Sequence, residues 1–299
     1  MDNKSFLKAF GDNNIDIKEN VCLKELTTFK IGGNAEFFAE VKTTDEVAFS
    51  VCKAKEYNLP LFVLGKGSNL LVSDNGIKGL TLYTGGLDFV RFEGEKVICG
   101  AGLHLQKLCT LALKEELSGL EFAFGIPGSV GGAVYMNAGA YGGEIADCVL
   151  WAKCIDINGN TVTLDKNQME LGYRTSIFKH HNLIITEVAF KLHKGEKAAI
   201  NAKMNDFMGR RRDKQPLEFP SAGSTFKRPE GHFAGGLIEK NGLKGKSVGG
   251  AKVSEKHAGF IINYNNATSD DVKTLIREIQ TIVSKNDGVD LETEVIFVG

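Results

Sequence analysis

Residues 125–144 read GIPGSVGGAVYMNAGAYGGE, with seven glycines and no charge before the final glutamate. Glycine has no side chain, so its backbone can approach a ligand closely and expose its N–H groups. The stretch predicts a backbone-lined site for a phosphate or a flat ring system. A glycine-packed helix corner is the alternative, and the spacing differs from the GxGxxG of dinucleotide-binding folds.

The uncharged run extends over residues 122–143, about the length of a bilayer span. Its glycines, together with Pro127 and Asn137, make a poor lipid-facing helix. We therefore expect a buried, turn-rich loop and no membrane insertion.

A second glycine-containing turn, LGKGSNLLV, occupies residues 64–72. Its backbone amides and polar side chains suit a pyrophosphate, although an ordinary turn after a strand has the same composition. A Walker A loop is excluded because Gly67, and not Ser or Thr, follows Lys66. The related segment KNGLKGKS at 240–247 has Lys240 where that loop needs glycine, which weakens an ATPase hypothesis.

The composition limits the class of protein. Thirty-six Lys and Arg balance 37 Asp and Glu, so the global basic field of non-specific nucleic-acid binders is absent. The six cysteines form no CxxC pair, and no Cys/His grouping predicts a structural metal. No secretory signal is visible, so we expect reduced thiols in a cytoplasm. At 299 residues and 42% hydrophobic, the chain has room for two domains.

The local patterns predict an α+β protein. Helices are expected at 3–11, from a capping box at Thr43 to about Asn58, at 103–117, from about 194, and at 270–285 after Thr268 or Ser269. Strands are expected at 26–41 (broken by Gly32 and Gly33), 61–65, 183–192 and 291–298, with short β runs over 70–100 and a hairpin at Asn158–Gly159. The change to a polar, basic composition near 194 predicts a domain boundary there.

Three isolated polar residues are candidates for chemistry. Ser224 lies in PSAGSTFKRP (220–229), where a hydroxyl on a turn stands beside two cations and suits a proton donor or a phosphate contact. Arg174 in GYRTS and Glu294 in TEVIFV are ionisable groups in otherwise uncharged surroundings. An ordinary turn serine, a surface arginine and an outward strand residue are the alternatives, and the basic run at Arg210 and Arg211 fits a solvated helix end.

Eight sequence segments, taken together in their order along the chain, resemble one known protein family, although no single segment is specific enough to identify it. They are TTFKIGGNAEFF, LGKGSNLLVSDNG, FGIPGSVGGAVYMNAGAYGGEIAD, GYRTSIFK, PSAGSTFKRP, AGGLIEKNGLKG, HAGFIINYNNAT and GVDLETEVIF. From about residue 22 onward, the sequence resembles the UDP-N-acetylenolpyruvoylglucosamine reductases, also called UDP-N-acetylmuramate dehydrogenases.

The resemblance implies an FAD-binding fold of the vanillyl-alcohol-oxidase type with two α+β subdomains, followed by an α+β domain that binds the UDP-sugar. Residues 1–20 would form a helix and lead-in, 21–193 the FAD-binding domain, and 194–299 the substrate domain, whose last strand brings Glu294 to the active site. The resemblance places FAD against Gly65, Lys66, Gly67, Ser68, Asn69, Gly125, Ile126, Pro127, Gly128, Ser129, Gly131, Gly132 and Ala133. No His or Cys lies within either loop, which favours non-covalent FAD, although His104 and Cys99 leave covalent attachment open.

The reaction implied by the resemblance has two half-steps. NADPH reduces the flavin, and a hydride then passes from flavin N5 to C3 of UDP-N-acetylglucosamine enolpyruvate, giving UDP-N-acetylmuramate for peptidoglycan synthesis. Motif by motif, Arg174 and Glu294 match residues that polarise the substrate carboxylate and enolate, and Ser224 matches the proton donor to C2. Because Glu294 would face a carboxylate substrate, we expect it to be protonated or paired with a cation.

Lys214, Lys227 and Lys240 are further candidates, for the UDP diphosphate. Two positions depart from the family pattern: Ile296 stands where many members have Arg, and Arg228 stands where some have Asn. The 50 residues from Arg174 to Ser224 leave no room for the tyrosine-bearing loop of longer members, so the chain resembles the short-loop type II.

Two other functions fit the residues without the resemblance. One is an FAD-dependent oxidase of the same fold on another small substrate, and the other is a nucleotide-sugar-binding protein without redox chemistry. The expected partners are the UDP-sugar and NADPH, with no nucleic acid, and the expected state is a monomer or weak oligomer in a bacterial cytoplasm.

Overall fold

The computed structural model describes residues 3–299, which divide into two compact units. Unit 1 contains the described chain up to Glu19, then Glu36–Lys66 and Lys78–Arg210. Unit 2 contains Asn20–Ala35, Gly67–Ile77 and Arg211–Gly299. Each unit has its own hydrophobic core, as expected of a domain.

The mixture of helices and strands confirms the expected α+β class. Over residues 3–299 the α-helices are α1 (Asn3–Asp12), α2 (Thr44–Glu56), α3 (Leu105–Lys114), α4 (Val130–Tyr135), α5 (Lys197–Lys214), α6 (Ala234–Lys240) and α7 (Ser269–Asp287). The strands are β1 (Asp16–Cys22), β2 (Asn34–Glu40), β3 (Leu61–Leu64), β4 (Leu70–Val72), β5 (Ile77–Tyr83), β6 (Val90–Glu93), β7 (Lys96–Gly100), β8 (Leu117–Ser118), β9 (Gly139–Ala140), β10 (Gly143–Glu144), β11 (Val149–Ile155), β12 (Thr161–Asp165), β13 (Ile184–Lys191), β14 (His193–Lys194), β15 (Ser221–Ser224), β16 (Ser247–Val248), β17 (Ala251–Val253), β18 (Phe260–Asn263) and β19 (Ile296–Val298). Among these residues, no helix combines the length and the apolar composition that a membrane crossing requires.

Unit 1 is built on two sheets. One has the strand order β1-β2-β5-β3, and the other has the order β12-β11-β13-β7-β6 with antiparallel neighbours. Helix α1 closes the core at one end, where the rings of Phe6 and Phe10 pack at 4.9 Å and Phe6 also meets Phe37 at 5.1 Å. These buried aromatic contacts explain why so short a helix is held in place.

Unit 2 has an antiparallel sheet of order β15-β18-β17-β16 and a separate parallel pair, β4 with β19. Helix α7 buries one apolar face in the same core, with Val272, Leu275 and Ile279 fully enclosed. Its first turn is capped by Asp74, whose carboxylate accepts from the backbone N–H groups of Ser269 and Asp270. The segment Gly67–Ile77 is therefore a structural part of unit 2.

Several local predictions are confirmed. Thr43 caps α2 by accepting from Glu46 N at 3.1 Å, and Thr268, rather than Ser269, caps α7 in a full capping box with Asp271. The Asn158–Gly159 hairpin joins β11 and β12, with Gly159 at φ 82°. The uncharged run is mostly buried or half-buried and turn-rich as expected, but it also contains the six-residue helix α4.

Two predicted strands differ from the structure. Of the predicted 26–41 strand, only Asn34–Glu40 is β structure. A Cβ on Gly32 would lie 2.6 Å from Cβ of Val72, so the double glycine lets two backbone segments approach each other. Of the predicted 291–298 strand, only Ile296–Val298 is β structure.

The chain changes unit at 210/211, later than the boundary expected at 193/194. Helix α5 has a polar composition, but Ile200, Met204 and Phe207 are buried in the core of unit 1. Three apolar residues on a polar helix change its average composition very little. The composition therefore predicts a boundary before α5, whereas most of α5 belongs to unit 1.

Candidate functional site

The two glycine loops meet within unit 1. A Cβ on Gly65 would lie 2.6 Å from Oγ of Ser129, a contact that only a glycine permits. Behind Ser129, the N–H of Leu105 donates to the carbonyl of Gly128 at 3.0 Å, which ties the second loop to the start of α3. Two segments 64 residues apart in sequence are therefore in contact where the FAD contacts were predicted.

Adjacent glycines in α4 have different surroundings. A Cβ on Gly131 would approach Cβ of Ala101 to 2.8 Å, so this glycine allows helix and strand to pack closely. A Cβ on Gly132 would meet only Oγ of Ser129, at 3.3 Å. Gly132 thus keeps one side of the helix open, whereas Gly131 serves packing. Ser129 caps this helix by accepting from the Gly132 N–H.

The loops present backbone donors of the kind that phosphates accept. Among the described residues, the N–H groups of Lys66, Gly128 and Ser129 donate to no acceptor, and Ser129 is 2% exposed. The same holds for the next two amides along the first loop, those of Gly67 and Ser68. The buried N–H of Ser129 would normally be paired, and the half-buried amides of Lys66 and Gly128 are open to solvent or to a ligand. Binding of the FAD diphosphate by these loops stays a prediction.

Lys66 and His104 add side-chain chemistry beside the first loop. Lys66 donates to the hydroxyl of Tyr83 at 3.2 Å. Burial lowers the pKa of His104, and the positive charge of Lys66 lowers it further, which favours the neutral imidazole. Cys99, the other candidate for covalent attachment, is fully buried with a raised thiol pKa, which leaves no route for it to reach a ligand.

Arg174 lies in unit 1 on a tight turn tied to the C-terminal end of α4. Its backbone is left-handed, with φ 54°, and its guanidinium donates to the carbonyl of Gly139 at 3.1 Å. Asn137 holds the turn by donating to the carbonyl of Gly172, and Ser176 donates to the carbonyl of Tyr135. The arginine is thereby anchored to the helix that begins at the second glycine loop.

Ser224 is the last residue of β15 in unit 2, and it is exposed. The pairing with β18 shifts register between Ser221, opposite Ile262, and Ser224, opposite Phe260, and Gly223 between them has φ 77°. Such a β-bulge re-aims the side chain that follows it. The hydroxyl is therefore presented at the end of a bent strand.

Glu294 lies beside the residue that follows Ser224. Its N–H donates to the carbonyl of Thr225 at 2.8 Å, and Phe226 and Thr293 form a bridge next to this bond. The structure thus brings the Ser224 and Glu294 segments together. The residues before β19 pair with the turn at Thr225 and Phe226 and do not extend a sheet.

Asn69, predicted as an FAD contact, also holds the Glu294 segment. Its side-chain amide donates to the carbonyl of Glu294 at 3.0 Å, and its own carbonyl accepts from the N–H of Ile296 at 3.0 Å. The sequence pattern does not predict this role, because it shows Asn69 only as one residue of a polar turn. Ile296 itself pairs with Leu70 in the β4–β19 ladder, a position where an apolar side chain is half-buried.

Within residues 3–299, no hydrogen bond or ion pair joins the three candidate lysines to one another. Lys227 pairs with Glu292 at 2.7 Å, and this bond lowers the pKa of the glutamate. Lys240 pairs with Asp287 near the ends of α6 and α7. Lys214, exposed at the end of α5, is close enough to His257 for its charge to contribute to the lowered pKa of that imidazole, below the larger effect of burial. Arg228, one of the two departures, stacks on the Phe233 ring at 4.0 Å.

Comparisons with known proteins agree with this arrangement. Residues 35–165 match the family model "FAD binding domain", and residues 215–298 match "UDP-N-acetylenolpyruvoylglucosamine reductase, C-terminal domain". A UDP-N-acetylenolpyruvoylglucosamine reductase of Clostridium botulinum is 49% identical, with 99% of this chain and 97% of the relative covered. That of Clostridium novyi is 48% identical, covering 95% and 92%.

A solved structure gives the same result. The crystal structure of UDP-N-acetylenolpyruvylglucosamine reductase from Thermus caldophilus superposes with a TM-score of 0.81 at 34% identity, covering 95% of this chain and 99% of the other. The expected FAD-binding fold with a C-terminal α+β domain is thereby confirmed. With near-complete coverage at close to half identity, the chain belongs to the UDP-N-acetylenolpyruvoylglucosamine reductase family.

Proposed function

We propose that the chain is an FAD-containing reductase that uses NADPH to convert UDP-N-acetylglucosamine enolpyruvate to UDP-N-acetylmuramate, a step in peptidoglycan precursor synthesis. The observation that carries the proposal within the structure is the bond from Glu294 N to Thr225 O, which holds the two predicted catalytic segments of unit 2 together. A role in peptidoglycan precursor synthesis supports the bacterial cytoplasm as the location that we assign to the reaction.

FAD would be held through its diphosphate by the unpaired amides of the first loop and by those of Gly128 and Ser129. Gly65 and Gly132 keep the backbone free of side chains there. When bound, FAD supplies the redox chemistry by taking two electrons from NADPH and delivering a hydride to the substrate. The protein binds and orients the reactants.

Arg174 is assigned to the substrate's carboxylate and enolate oxygens. A guanidinium offers several N–H donors in a fixed plane, so it can hold a carboxylate and stabilise the charge that develops when hydride reaches C3. Its bond to Gly139 O and its position 5.1 Å over the Tyr173 ring fix its orientation before substrate arrives.

Ser224 is assigned the proton that C2 receives. Hydride addition at C3 leaves the electron pair of the former double bond on C2, and the Ser224 hydroxyl gives its proton there. Because Ser224 is exposed, a proton from water restores the hydroxyl. The net change is one hydride and one proton added across the substrate double bond.

Glu294 is assigned to the same charged region, as a protonated acid or as a partner of a cation. Either state avoids repulsion between its side chain and the substrate carboxylate. Lys214, Lys227 and Lys240 are assigned to the diphosphate of the UDP-sugar. For Lys227 this requires exchange of its ion pair with the exposed Glu292, which costs little. For Lys240 it requires leaving the covered carboxylate of Asp287 to its second partner, Asn241.

The test separates the two half-reactions in an anaerobic spectrophotometer. The pure holoenzyme should have a flavin spectrum that NADPH bleaches and UDP-N-acetylglucosamine enolpyruvate restores. Restoration by oxygen alone would instead support an oxidase on another substrate. Failure to bind FAD on reconstitution, with retained UDP-sugar binding, would replace the proposal with a non-redox binding protein.

A further inference from the structure

Thr225, between the assigned proton donor and the bridge residue Phe226, uses all of its polar groups inside unit 2. It is 2% exposed. Its N–H donates to the carbonyl of Gly259 at 2.8 Å, its carbonyl accepts from Glu294 N at 2.8 Å, and its Oγ1 accepts from Ile261 N at 3.1 Å. One residue therefore joins β18 to the Glu294 segment.

The connection extends on both sides. Gly259, which accepts from Thr225, donates in turn to Nδ1 of His257 at 3.1 Å. On the other side, the carbonyl of Glu294 accepts from the Asn69 side chain at 3.0 Å. A continuous set of hydrogen bonds thus links His257, Thr225 and Asn69 through four chain segments, and Ser224 is attached to it by one peptide bond.

The bulge at Gly223 explains why a hydroxyl is needed at position 225. The register shift between Ser221 and Ser224 interrupts the β15–β18 ladder opposite Ile261, and the N–H of Ile261 is satisfied by the Thr225 side chain. Valine has the same shape but offers no acceptor, so it would leave a buried N–H unpaired, and the local backbone would have to move to satisfy it.

We propose that Thr225 is a positioning residue that fixes the Ser224 hydroxyl and the Glu294 segment relative to each other for the protonation of C2. The inference rests on the proposed function and adds a residue that touches neither substrate nor cofactor. Proton transfer needs reacting atoms held in a narrow range of distance and angle, and a displacement of about 1 Å can cost roughly a hundredfold in rate.

The experiment measures both half-reactions of the holoenzyme by stopped-flow in Thr225→Val, Thr225→Ser and a matched control, Thr81→Val. Thr81 is a threonine as buried as Thr225 and lies in β5, but within the described residues its Oγ1 has no hydrogen-bond partner. Both half-reactions are measured first in the wild type. If wild-type flavin is reduced by NADPH but not reoxidised by the enolpyruvyl substrate, the proposed function fails, and the role of Thr225 fails with it.

With both half-reactions present in the wild type, Thr225→Val should slow the limiting rate of reoxidation about ten- to a hundredfold. Flavin reduction and the substrate concentration at half-maximal rate should stay within about threefold. Thr225→Ser, which keeps the hydroxyl, should recover most of the rate, and the solvent isotope effect on reoxidation should increase only in the valine variant. Thr81→Val should resemble the wild type.

Equal slowing of both half-reactions, or a serine variant as slow as the valine variant, would show that Thr225 serves general stability. If Thr225→Val does not yield a folded flavoprotein, the proposal is tested by measuring both half-reactions in Gly223→Ala. A Cβ at 223 meets nothing within 4 Å, so this change strains only the φ 77° backbone of the bulge. It should slow reoxidation at least fivefold with flavin reduction unchanged; unchanged reoxidation would overturn the proposal.

Discussion

Ser224 is an exposed serine at the end of a short strand, and by residue type it resembles any turn serine. Its surroundings distinguish it, because a bulge precedes it and a fully hydrogen-bonded Thr225 follows it. At the scale of single residues, the motif order predicts which side chains act, and these assignments stay predictions until the variants below are measured. The hydrogen bonds of Thr225 and Asn69 could not be predicted, since their partners lie at least 34 residues away in sequence.

Replacing Ser224 by alanine should slow reoxidation of the reduced enzyme by the enolpyruvyl substrate about a hundred- to ten-thousandfold, the usual contribution of a positioned acid. Reduction by NADPH should be unchanged. Stopped-flow absorbance measures both rates. Ser221→Ala in the same strand is the control, because in the described part of the chain the Ser221 hydroxyl makes no hydrogen bond and only its backbone does, accepting from the Thr28 hydroxyl and pairing with β18. A full reoxidation rate in Ser224→Ala would remove the serine from the mechanism.

The pH dependence of reoxidation should change when Glu294 is replaced by glutamine. If the carboxyl is protonated or cation-paired in the substrate complex, the amide removes one ionisation from the profile. Glu292→Gln is the matched control: this neighbour is exposed and paired with Lys227, so its replacement should leave the profile unchanged. Identical profiles for Glu294→Gln and wild type would contradict the assigned role.

Helices and turns with local signals could be predicted well. The capping box at Thr268 and the Asn158–Gly159 hairpin depend on residues within a few positions of each other, and both are present. At Thr43 only half of the predicted box forms, because the Glu46 carboxylate accepts from the N–H of Lys42 and not from that of Thr43. The strand predicted at 291–298 failed in its first half because Leu291–Val295 pairs with the turn around Phe226, a contact that alternation in sequence does not report. At the scale of elements, local chemistry determines where a segment begins, and distant partners determine what it pairs with.

Helix α7 provides a stability prediction with a defined pH dependence. Backbone hydrogen bonds from Thr268 and Gly250 hold the pKa of Asp271 below its ordinary value. A depressed carboxyl pKa stabilises the fold above the unfolded-state pKa and loses that stabilisation as the pH falls through the folded-state pKa. Asp271→Asn should therefore lower the free energy of unfolding at pH 7, measured by urea titration, by about 1 kcal/mol, as is typical for a lost cap.

The difference between wild type and Asp271→Asn should shrink as the pH falls below about 4, the ordinary aspartate pKa, and continue to shrink until the pH has passed the lowered pKa of the folded carboxyl. Asp270→Asn, in the same helical turn, is the control for the charge change, since its carboxylate makes only a 3.9 Å contact with Lys273. A difference that stays constant down to pH 2 would show that Asp271 acts only through its shape.

The adjacent glycines of α4 allow packing to be separated from cofactor binding. Gly131→Ala should destabilise the apoprotein, because the new methyl would press on Ala101. Gly132→Ala should leave apoprotein stability unchanged or raise it by up to about 1 kcal/mol, as alanine favours a helix, while weakening FAD binding. Urea titration and flavin fluorescence quenching measure the two effects. Normal FAD affinity in Gly132→Ala would mean that this side of α4 does not face the cofactor.

The whole molecule shows the largest difference between prediction and structure. The order of eight motifs was enough to predict the family and both domain types. The discontinuous makeup of unit 2 could not be predicted, because pairing of Leu70–Val72 with Ile296–Val298 leaves no local pattern. Likewise, the cap that Asp74 places on α7 depends on residues 195 apart.

A fragment of residues 194–299, the domain expected from the sequence, should therefore not fold alone. It lacks the partner of β19, the Asp74 cap, and the core residues Phe29, Ile31 and Leu71. Circular dichroism with thermal melting should show no cooperative transition, and co-expression with residues 1–193 should restore one. A cooperative melt of the isolated fragment would contradict the three-stretch description of unit 2.

The hydrogen bond between Asn69 and Glu294 can form only late in synthesis of the chain. The two residues are 225 positions apart, and a ribosome adding about 5–20 residues per second needs roughly 11–45 s to cover that interval. Throughout this time the nascent Asn20–Ala35 and Gly67–Ile77 stretches carry apolar side chains without their permanent neighbours. Nascent chains of this protein should therefore be clients of ribosome-associated chaperones, and they should become resistant to protease only after the last strand has emerged from the exit tunnel.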